Sequence, residues 1–296
     1  MMHRLYVMAH LGNPPVEQML FPWARAEILR QQLSVPMLAP QWRGAGIPGW
    51  RSGKWGRGGT APFSNRSYLS GVARLRVLLT ARRCNERSFV PGAEDTGGHG
   101  RKTLVVFAGK GDGFSPLLAH RELVRQRLTD ILAPHVHRQL SHQSHPFVIG
   151  VHVQRSAADG GPAATASDPP TPWFVRCIQS LRKVLGFAAP VQLFSEASPE
   201  RLRTLLAMPN VTLAEERSGV PGLLRLSRSR ILIGGAGSAF SQWAAFLGEM
   251  PSLWHAGAAP HWPSAIPHFA SEAHGHGQVP EGFAEVIESL GLALNP

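Results

Sequence analysis

The sequence predicts a mixed α/β protein with two domains, each built on a parallel sheet. The chain has 296 residues, which is roughly twice the usual size of a single domain. Short runs of Leu, Val, Ile and Phe alternate along it with longer segments whose apolar residues recur at helical spacing. Several of these short runs lead directly into glycine-rich turns. That order is typical of a doubly wound fold, in which each buried strand is followed by a helix.

In the first half, the pattern predicts strands at residues 5–9, 35–38 and 104–108, and helices at residues 16–33, 68–83 and near 117–132. Gly12 and Asn13 follow the first strand, at the edge where doubly wound sheets bind ligands. They are candidate ligand contacts, or they serve only the geometry of the turn. Residues 109–113 form a second glycine-rich turn of the same kind. Residues 41–66 read as a long loop rich in Gly, Trp and Arg, suited to stacking on a sugar or base, or as a basic insertion.

A domain boundary is predicted near Pro146, which gives domains of residues 1–146 and 147–296. In the second domain, strands are predicted at residues 147–153, 191–194, 211–213, 231–233 and 250–253. Helices are predicted at residues 173–185, 198–206, 221–229 and 281–290, with another from about Phe240. This repeated order of strand and helix predicts a second parallel sheet.

Residues 231–247 (ILIGGAGSAFSQWAAFL) form the stretch around which the second domain is organised. An apolar strand passes through small residues into an alanine-rich helix. Glycines allow close backbone approach, and the first turn of a helix offers free N–H groups to an anion. Ser238 and Ser241 add hydroxyl groups. The stretch is therefore a candidate phosphate pocket, although an ordinary buried strand–helix unit would have a similar sequence.

The composition points to an anionic partner. The net charge of +11 fits a nucleotide, a nucleic acid or an acidic membrane surface. No compact basic run with interleaved aromatic residues is present, so we expect no nucleic acid. Two cysteines make no disulfide framework and no apolar run is long enough to span a bilayer, so a cytoplasmic location is expected. Histidines cluster at residues 135–145 without acidic or cysteine neighbours, which favours a solvated linker over a metal site.

Four segments, in order along the chain, resemble one known family. They are LGNPPVEQMLFPWARAEILRQQLSVPML near the N-terminus, GVHVQRSAAD, LFSEASPE and GSAFSQWAAFLG. The chain resembles the fucosyltransferases of the α-1,2/α-1,6 and protein O-fucosyl group. The family's patterns beside these segments are a glycine–asparagine loop, His-X-Arg-Arg-X-Asp, a strand that ends in Ser-Asp, and Asn-Ser-Ser/Thr-Phe-Ser-Trp-Trp-Ala-Ala. The resemblance hardly covers residues 41–101.

The resemblance implies a GT-B-like fold, in which two Rossmann-type domains with parallel sheets face a cleft. Residues 1–146 would then be the acceptor-side domain, and residues 147–296 the domain that binds the nucleotide sugar. It also implies GDP-fucose as the donor substrate, inversion at the sugar carbon, and no metal or other cofactor. The sequence contains no Asp-X-Asp pair, which disfavours a metal-held diphosphate. The residues that match the family's donor site are Gly12, Asn13, His152, Gln154, Arg155, Ser195, Glu196, Ser238, Phe240, Ser241 and Gln242.

Four departures from the family pattern affect the expected chemistry. Gln154 occupies the place of the family's first arginine, which binds the donor β-phosphate, so only Arg155 remains of the pair. Gly237 stands where the family has Asn, and Gln242 where it has the first Trp. The aspartate is shifted to Asp159. Loss of one charge-assisted bond corresponds to about 1.5–3 kcal/mol.

The sequence thus leads to one main hypothesis and two rivals. The main hypothesis is transfer of fucose from GDP-fucose to a glycan or lipid-linked oligosaccharide in surface polysaccharide synthesis, with possible peripheral association with an anionic inner membrane. Arg155 would stabilise the leaving diphosphate, and Glu17, Asp112 or Asp159 would act as general base. The rivals are a catalytically silent nucleotide- or glycan-binding relative and, on charge alone, a nucleic-acid-binding protein.

Overall fold

A computed structural model describes residues 5–42, 62–91, 102–142, 148–154, 170–235, 238–255, 268–271 and 279–292. The chain divides into two compact units, Met1–Arg138 and Gln139–Pro296. This division falls inside a helix, whereas the boundary predicted from the sequence, Pro146, lies outside the described residues. The acceptor and donor roles predicted for the two domains stay predictions.

The first unit is built on a parallel sheet of three strands, β1 (Leu5–His10), β2 (Arg82–Asn85) and β3 (Thr103–Ala108), in the spatial order β1-β3-β2. Its helices are α1 (Val16–Leu33), α2 (Gly71–Thr80) and α3 (Arg121–Asp130). Along one face of the sheet, Val77 of α2 packs in a small apolar cluster with Tyr6, Leu38 and Leu104. The strand β1 and the helix α1 have the bounds that the sequence predicts, to within one residue.

Several elements of the first unit differ from the prediction. Residues 35–38 make only single bridges, from Met37 to Val7 and from Leu38 to Leu69, because Pro36 has no N–H group to donate to a ladder. The helix predicted at residues 68–83 is shorter, and its last residues belong instead to the edge strand β2. The helix predicted near residues 117–132 is a 3-10 turn, Ser115–His120, followed by α3.

The histidine-rich segment is a helix rather than the predicted linker. It forms α4 (Pro134–His142), on which Val136 and Leu140 are buried four residues apart. That spacing places both on one face of a helix. In the sequence, this apolar pair is the sign of a helix among the histidines. The described residues contain no group of three or more His, Cys, Asp and Glu side chains placed to hold a metal ion.

The second unit contains a six-stranded, fully parallel sheet. The strands are β4 (Ile149–His152), β5 (Val191–Phe194), β6 (Val211–Leu213), β7 (Ile231–Gly234), β8 (Ser252–His255) and β9 (His268–Ser271). The helices are α5 (Thr171–Leu185), α6 (Pro199–Leu206), α7 (Gly219–Leu226), α8 (Ala239–Gly248) and α9 (Glu281–Ser289). The sequence predicts all of these except the short strand β9.

Helices cover both faces of this sheet. Apolar side chains of α5, α6 and α9 share one core with Ile149, Val151 and Ile233 of the strands. On the opposite face, a side chain at Gly150 would collide with Leu226 of α7, because an added Cβ would lie 2.7 Å from its Cδ1 atom. The helix α8 packs beside α7. The second unit is thus a doubly wound α/β domain. Among the described residues, no helix is both long enough and apolar enough to cross a bilayer.

Candidate functional site

The strand order of the second unit identifies one edge of the sheet as a ligand site. The order is β6-β5-β4-β7-β8-β9, so the chain moves outward from β4 in one direction and then resumes at β7 in the other. Where a doubly wound sheet reverses in this way, the loops after the two central strands separate and leave a crevice at their carboxyl ends. The segments that follow β4 and β7 begin at Val153 and Gly235 and carry most of the predicted site residues.

His152 and Ser241 join these two segments. The Nδ1 atom of His152, the last residue of β4, lies 2.7 Å from the hydroxyl oxygen of Ser241 on α8. The imidazole ring also lies beside the ring of Phe240, with centroids 4.8 Å apart. Ser241 is completely buried. Burial lowers the pKa of His152 to about 4, since a desolvated imidazole disfavours the charged form. His152 is therefore a neutral hydrogen-bonding group at neutral pH.

The helix α8 begins at this edge. Ser238 is its N-cap, with extended backbone, and its hydroxyl oxygen accepts a long hydrogen bond of 3.5 Å from the Ser241 backbone N–H. Ser, Thr, Asp and Asn are favoured at N-caps for this reason. The N–H groups of the first turn and the helix dipole make the start of a helix attractive to anions. The predicted phosphate pocket thus has its helix start where the sequence places it. Gln242, in the same first turn, is partly buried.

Gly235 is a site residue that the sequence analysis did not single out. A Cβ atom added there would lie 3.2 Å from the carbonyl oxygen of His152 and 3.9 Å from the backbone nitrogen of Gln154. The ends of β4 and β7 therefore approach so closely that a larger residue would push them apart. A glycine placed directly after a strand is the sequence signal for such an approach.

Gln154 has a buried polar atom without a described partner. Its Oε1 atom is inaccessible to solvent and accepts no hydrogen bond from any residue that the structure describes. Buried polar atoms are nearly always paired, so the unpaired oxygen makes the Gln154 amide a candidate ligand contact. Because the amide oxygen and nitrogen are assigned from their surroundings, the amide is able to present either a donor or an acceptor.

Ser195 and Glu196 lie at the same edge, after β5, because β5 pairs with β4 in parallel and Phe194 is the partner of His152. They differ in what they can offer a ligand. The Ser195 hydroxyl is buried and accepts a hydrogen bond of 3.1 Å from the Ala197 backbone N–H, so it shapes the turn. Glu196 is exposed. Its carboxylate is available to hydroxyl or amine groups of a ligand.

The remaining predicted residues lie either outside the described part of the chain or in the first unit. Arg155 and Asp159 lie outside the described part of the chain. Gly12 and Asn13 are in the first unit, exposed, in the turn after β1, and Gly12 has a left-handed backbone with φ of +61°. Glu17 follows in the first turn of α1.

The turn after β3 lies next to that after β1, because these strands pair in register and His10 is the partner of Ala108. An arginine that the sequence analysis did not single out shapes the second turn. The Arg25 guanidinium, on α1, donates hydrogen bonds of 2.7–3.1 Å to the carbonyl oxygens of Ala108, Gly109 and Lys110. It also binds both carboxylate oxygens of Glu86. The partly buried Arg25–Glu86 ion pair thus holds the backbone of Ala108, Gly109 and Lys110 at the start of this turn.

No protein-family model matches the chain, and no curated protein sequence matches it significantly. Solved structures do. A GDP complex of a mutant of FUT1 from Arabidopsis thaliana has a TM-score of 0.50 and 13% identity, and the match covers 84% of this chain and 70% of that one. The chain has a fucosyltransferase-like fold. This confirms, for the fold, the resemblance seen in the sequence.

Two other fucosyltransferases match the chain with lower TM-scores. Fucosyltransferase NodZ from Bradyrhizobium has a TM-score of 0.48 and 16% identity, and the match covers 83% of this chain and 94% of that chain. A complex of POFUT1 with GDP has a TM-score of 0.44 and 12% identity, with coverage of 84% and 98%.

Proposed function

We propose that this protein is a glycosyltransferase that transfers fucose from GDP-fucose to a glycan hydroxyl, without a metal and with inversion at the sugar carbon. The observation that carries the proposal is the cluster at the carboxyl ends of β4 and β7, where His152, Gln154 and the start of α8 meet at the reversal of strand order. The shared fold of FUT1, which was solved with GDP, supports GDP as the nucleotide. The acceptor is a glycan or lipid-linked oligosaccharide of surface polysaccharide synthesis.

The donor side of the reaction needs stabilisation of the leaving diphosphate. As the bond from the sugar carbon to the diphosphate oxygen breaks, negative charge develops on that oxygen. The N–H groups at the start of α8 and the Ser238 hydroxyl are positioned donors for such charge. Arg155 follows Gln154 directly and would add a full positive charge. Glu196 would accept hydrogen bonds from the ribose or the base.

The acceptor side needs a general base that removes the proton from the attacking hydroxyl. Glu17, Asp112 and Asp159 remain the candidates. Glu17 follows the turn that contains Gly12 and Asn13, and the exposed Asp112 lies in the adjacent turn after β3. Single substitutions of each carboxylate by its amide would distinguish them, because loss of the base lowers kcat and leaves GDP binding unchanged.

Thermal unfolding in the presence of nucleotides tests the donor assignment. A ligand at 100 times its Kd stabilises the folded state by about 2.7 kcal/mol, which corresponds to a rise in Tm of roughly 5 °C or more. GDP and GDP-fucose should give this rise equally with and without EDTA, and ADP should not. No rise with saturating GDP would refute the assignment. A rise in Tm with a UDP-sugar alone would support sugar transfer with a UDP-sugar, and not GDP-fucose, as the donor.

A second candidate function rests on Gln154. If the missing arginine has abolished catalysis, the protein is a binding relative that holds the nucleotide or a glycan without turnover. The variant Gln154→Arg distinguishes the two, because it restores the family pattern. A large gain in transfer, together with tighter GDP binding, indicates an enzyme with a weakened site, whereas tighter GDP binding without transfer favours the binding relative. The control is Gln139→Arg, which adds the same charge at an exposed position of α4.

A further inference from the structure

The helix α2 in the first unit has an exposed apolar stripe that no described element covers. Val72, Leu75 and Leu79 are 84%, 56% and 76% exposed. On a helix with 3.6 residues per turn these positions fall within an arc of about 60°. Val77, on the opposite side, packs against the sheet. The helix therefore has two apolar faces, and only one of them is used by the core. We call the outer one, Val72, Leu75 and Leu79, the α2 stripe.

The segment that carries the α2 stripe is basic. Neither α2 (GVARLRVLLT) nor β2 (RRCN) contains an acidic residue, and together they carry four arginines. Arg76 is exposed on α2. Arg83 is exposed on β2 and is the register partner of Leu104. Since Leu104 contacts the cluster under α2, Arg83 lies on the same face of the sheet as this helix. The next carboxylate along the chain, Glu86, is neutralised by Arg25.

We propose that the α2 stripe and its flanking arginines are a docking surface for an anionic lipid bilayer. Apolar side chains on a basic helix insert at the boundary between headgroups and acyl chains, while the arginines contact acidic headgroups. A second copy of the chain fits this surface less well. A two-fold interface would place Arg76 and Arg83 of each copy near those of the other, and like charges across an interface are unfavourable. This proposal does not depend on the proposed reaction.

Co-sedimentation of the full chain with vesicles tests this surface. The vesicles are phosphatidylcholine alone or phosphatidylcholine mixed with phosphatidylglycerol. We expect binding only to the anionic vesicles. The double variant Leu75→Gln/Leu79→Gln should weaken it about tenfold or more, because two partly inserted leucines are lost. The double variant Arg76→Gln/Arg83→Gln should weaken it about fivefold for each arginine at low salt, and much less at high salt.

Matched controls lie in the second unit. Phe187 is 81% exposed, so Phe187→Gln removes an equally exposed apolar side chain that is not part of α2. The double variant Arg203→Gln/Arg217→Gln removes two exposed charges. Neither control should change vesicle binding. The proposal is overturned if the parent chain does not bind anionic vesicles, or if the controls weaken binding as much as the α2 variants do.

Light scattering tests whether the α2 stripe is instead an interface between two copies of the chain. A dimer of the parent chain that Leu75→Gln/Leu79→Gln converts to a monomer would assign the stripe to a second copy and overturn the membrane proposal. The single variant Val72→Gln should also weaken binding to anionic vesicles, which tests the α2 stripe with a different substitution. Unchanged GDP stabilisation of each variant would show that a loss of vesicle binding is not a loss of folding. If GDP stabilises neither the parent nor the variants, equal Tm values of the parent and each variant would show that the variants are folded.

Discussion

The low pKa of His152 predicts a specific loss of stability in acid. The folded-state pKa of about 4 lies below the unfolded value of 6.5. As the pH falls, the unfolded chain takes up this proton first, so stability contributed by the neutral ring is present above 6.5 and is lost as the pH approaches 4. At 1.36 kcal/mol per pKa unit, the loss between about pH 7 and about pH 4.5 is about 2.5 kcal/mol. The variant His152→Gln lacks this titration.

Urea unfolding of the parent chain and His152→Gln at both pH values measures the difference. Other titrating groups affect both proteins, so their contributions cancel in the comparison. The parent should lose about 2.5 kcal/mol more than the variant over that range. Nuclear magnetic resonance of the 14 histidines provides a direct check, with the His152 signal assigned by its absence from the variant. A His152 signal that titrates near 6.5, with equal acid sensitivity in the two proteins, would refute the burial of a neutral imidazole against Ser241.

Two further predictions concern single contacts. Ser241→Ala leaves the His152 ring without its hydroxyl partner, so the free energy of unfolding should fall by about 1–3 kcal/mol in urea unfolding, and the Tm rise with GDP should shrink; an unchanged midpoint would contradict the contact. Gly111→Ala places a Cβ atom 2.8 Å from the Arg25 guanidinium carbon at a φ of +56°, whereas Gly109→Ala has open space at a φ of +61°. Both should lose about 1–2 kcal/mol of stability from backbone strain, and Gly111→Ala should lose more; equal losses would show that Arg25 moves freely.

Most of the fold could be predicted from the sequence because the second unit follows simple patterns. Buried parallel strands are continuous apolar runs, and β4 and β5 are each followed by a helix with a clear apolar face, α5 and α6. The prediction is wrong where a strand is polar, and where a proline interrupts an apolar run. The edge strand β2 carries arginines that face solvent, which do not look like a strand in sequence. Pro36 stands in an apolar run that looks like a strand, and it cannot donate to a ladder.

The candidate site could be predicted in part. Small residues followed by a capping serine reveal the start of α8, because the residues that allow this turn are few. The strand order, in contrast, could not be predicted. Nothing local in the sequence shows that β4 and β7 are neighbours, so the contact between His152 and Ser241 follows only from the sheet. The role of Arg25 was missed for the same reason, since its partners on β3 and at Glu86 are far along the chain.

The described part of the site offers a diphosphate only neutral donors, which assigns particular weight to Arg155. The imidazole of His152 is uncharged at neutral pH, and Gln154 and Ser238 are neutral by chemistry. Glu196, the charged side chain on the neighbouring strand, is negative. Dipoles at a helix start contribute about 0.3–1 kcal/mol to anion binding, less than the roughly 1.5–3 kcal/mol of a charge-assisted bond. Arg155→Gln should therefore weaken GDP binding about 10- to 100-fold in a titration, whereas the exposed Arg217→Gln should not. Equal GDP affinity in the two variants would show that Arg155 is solvated and that the start of α8 binds the phosphates alone.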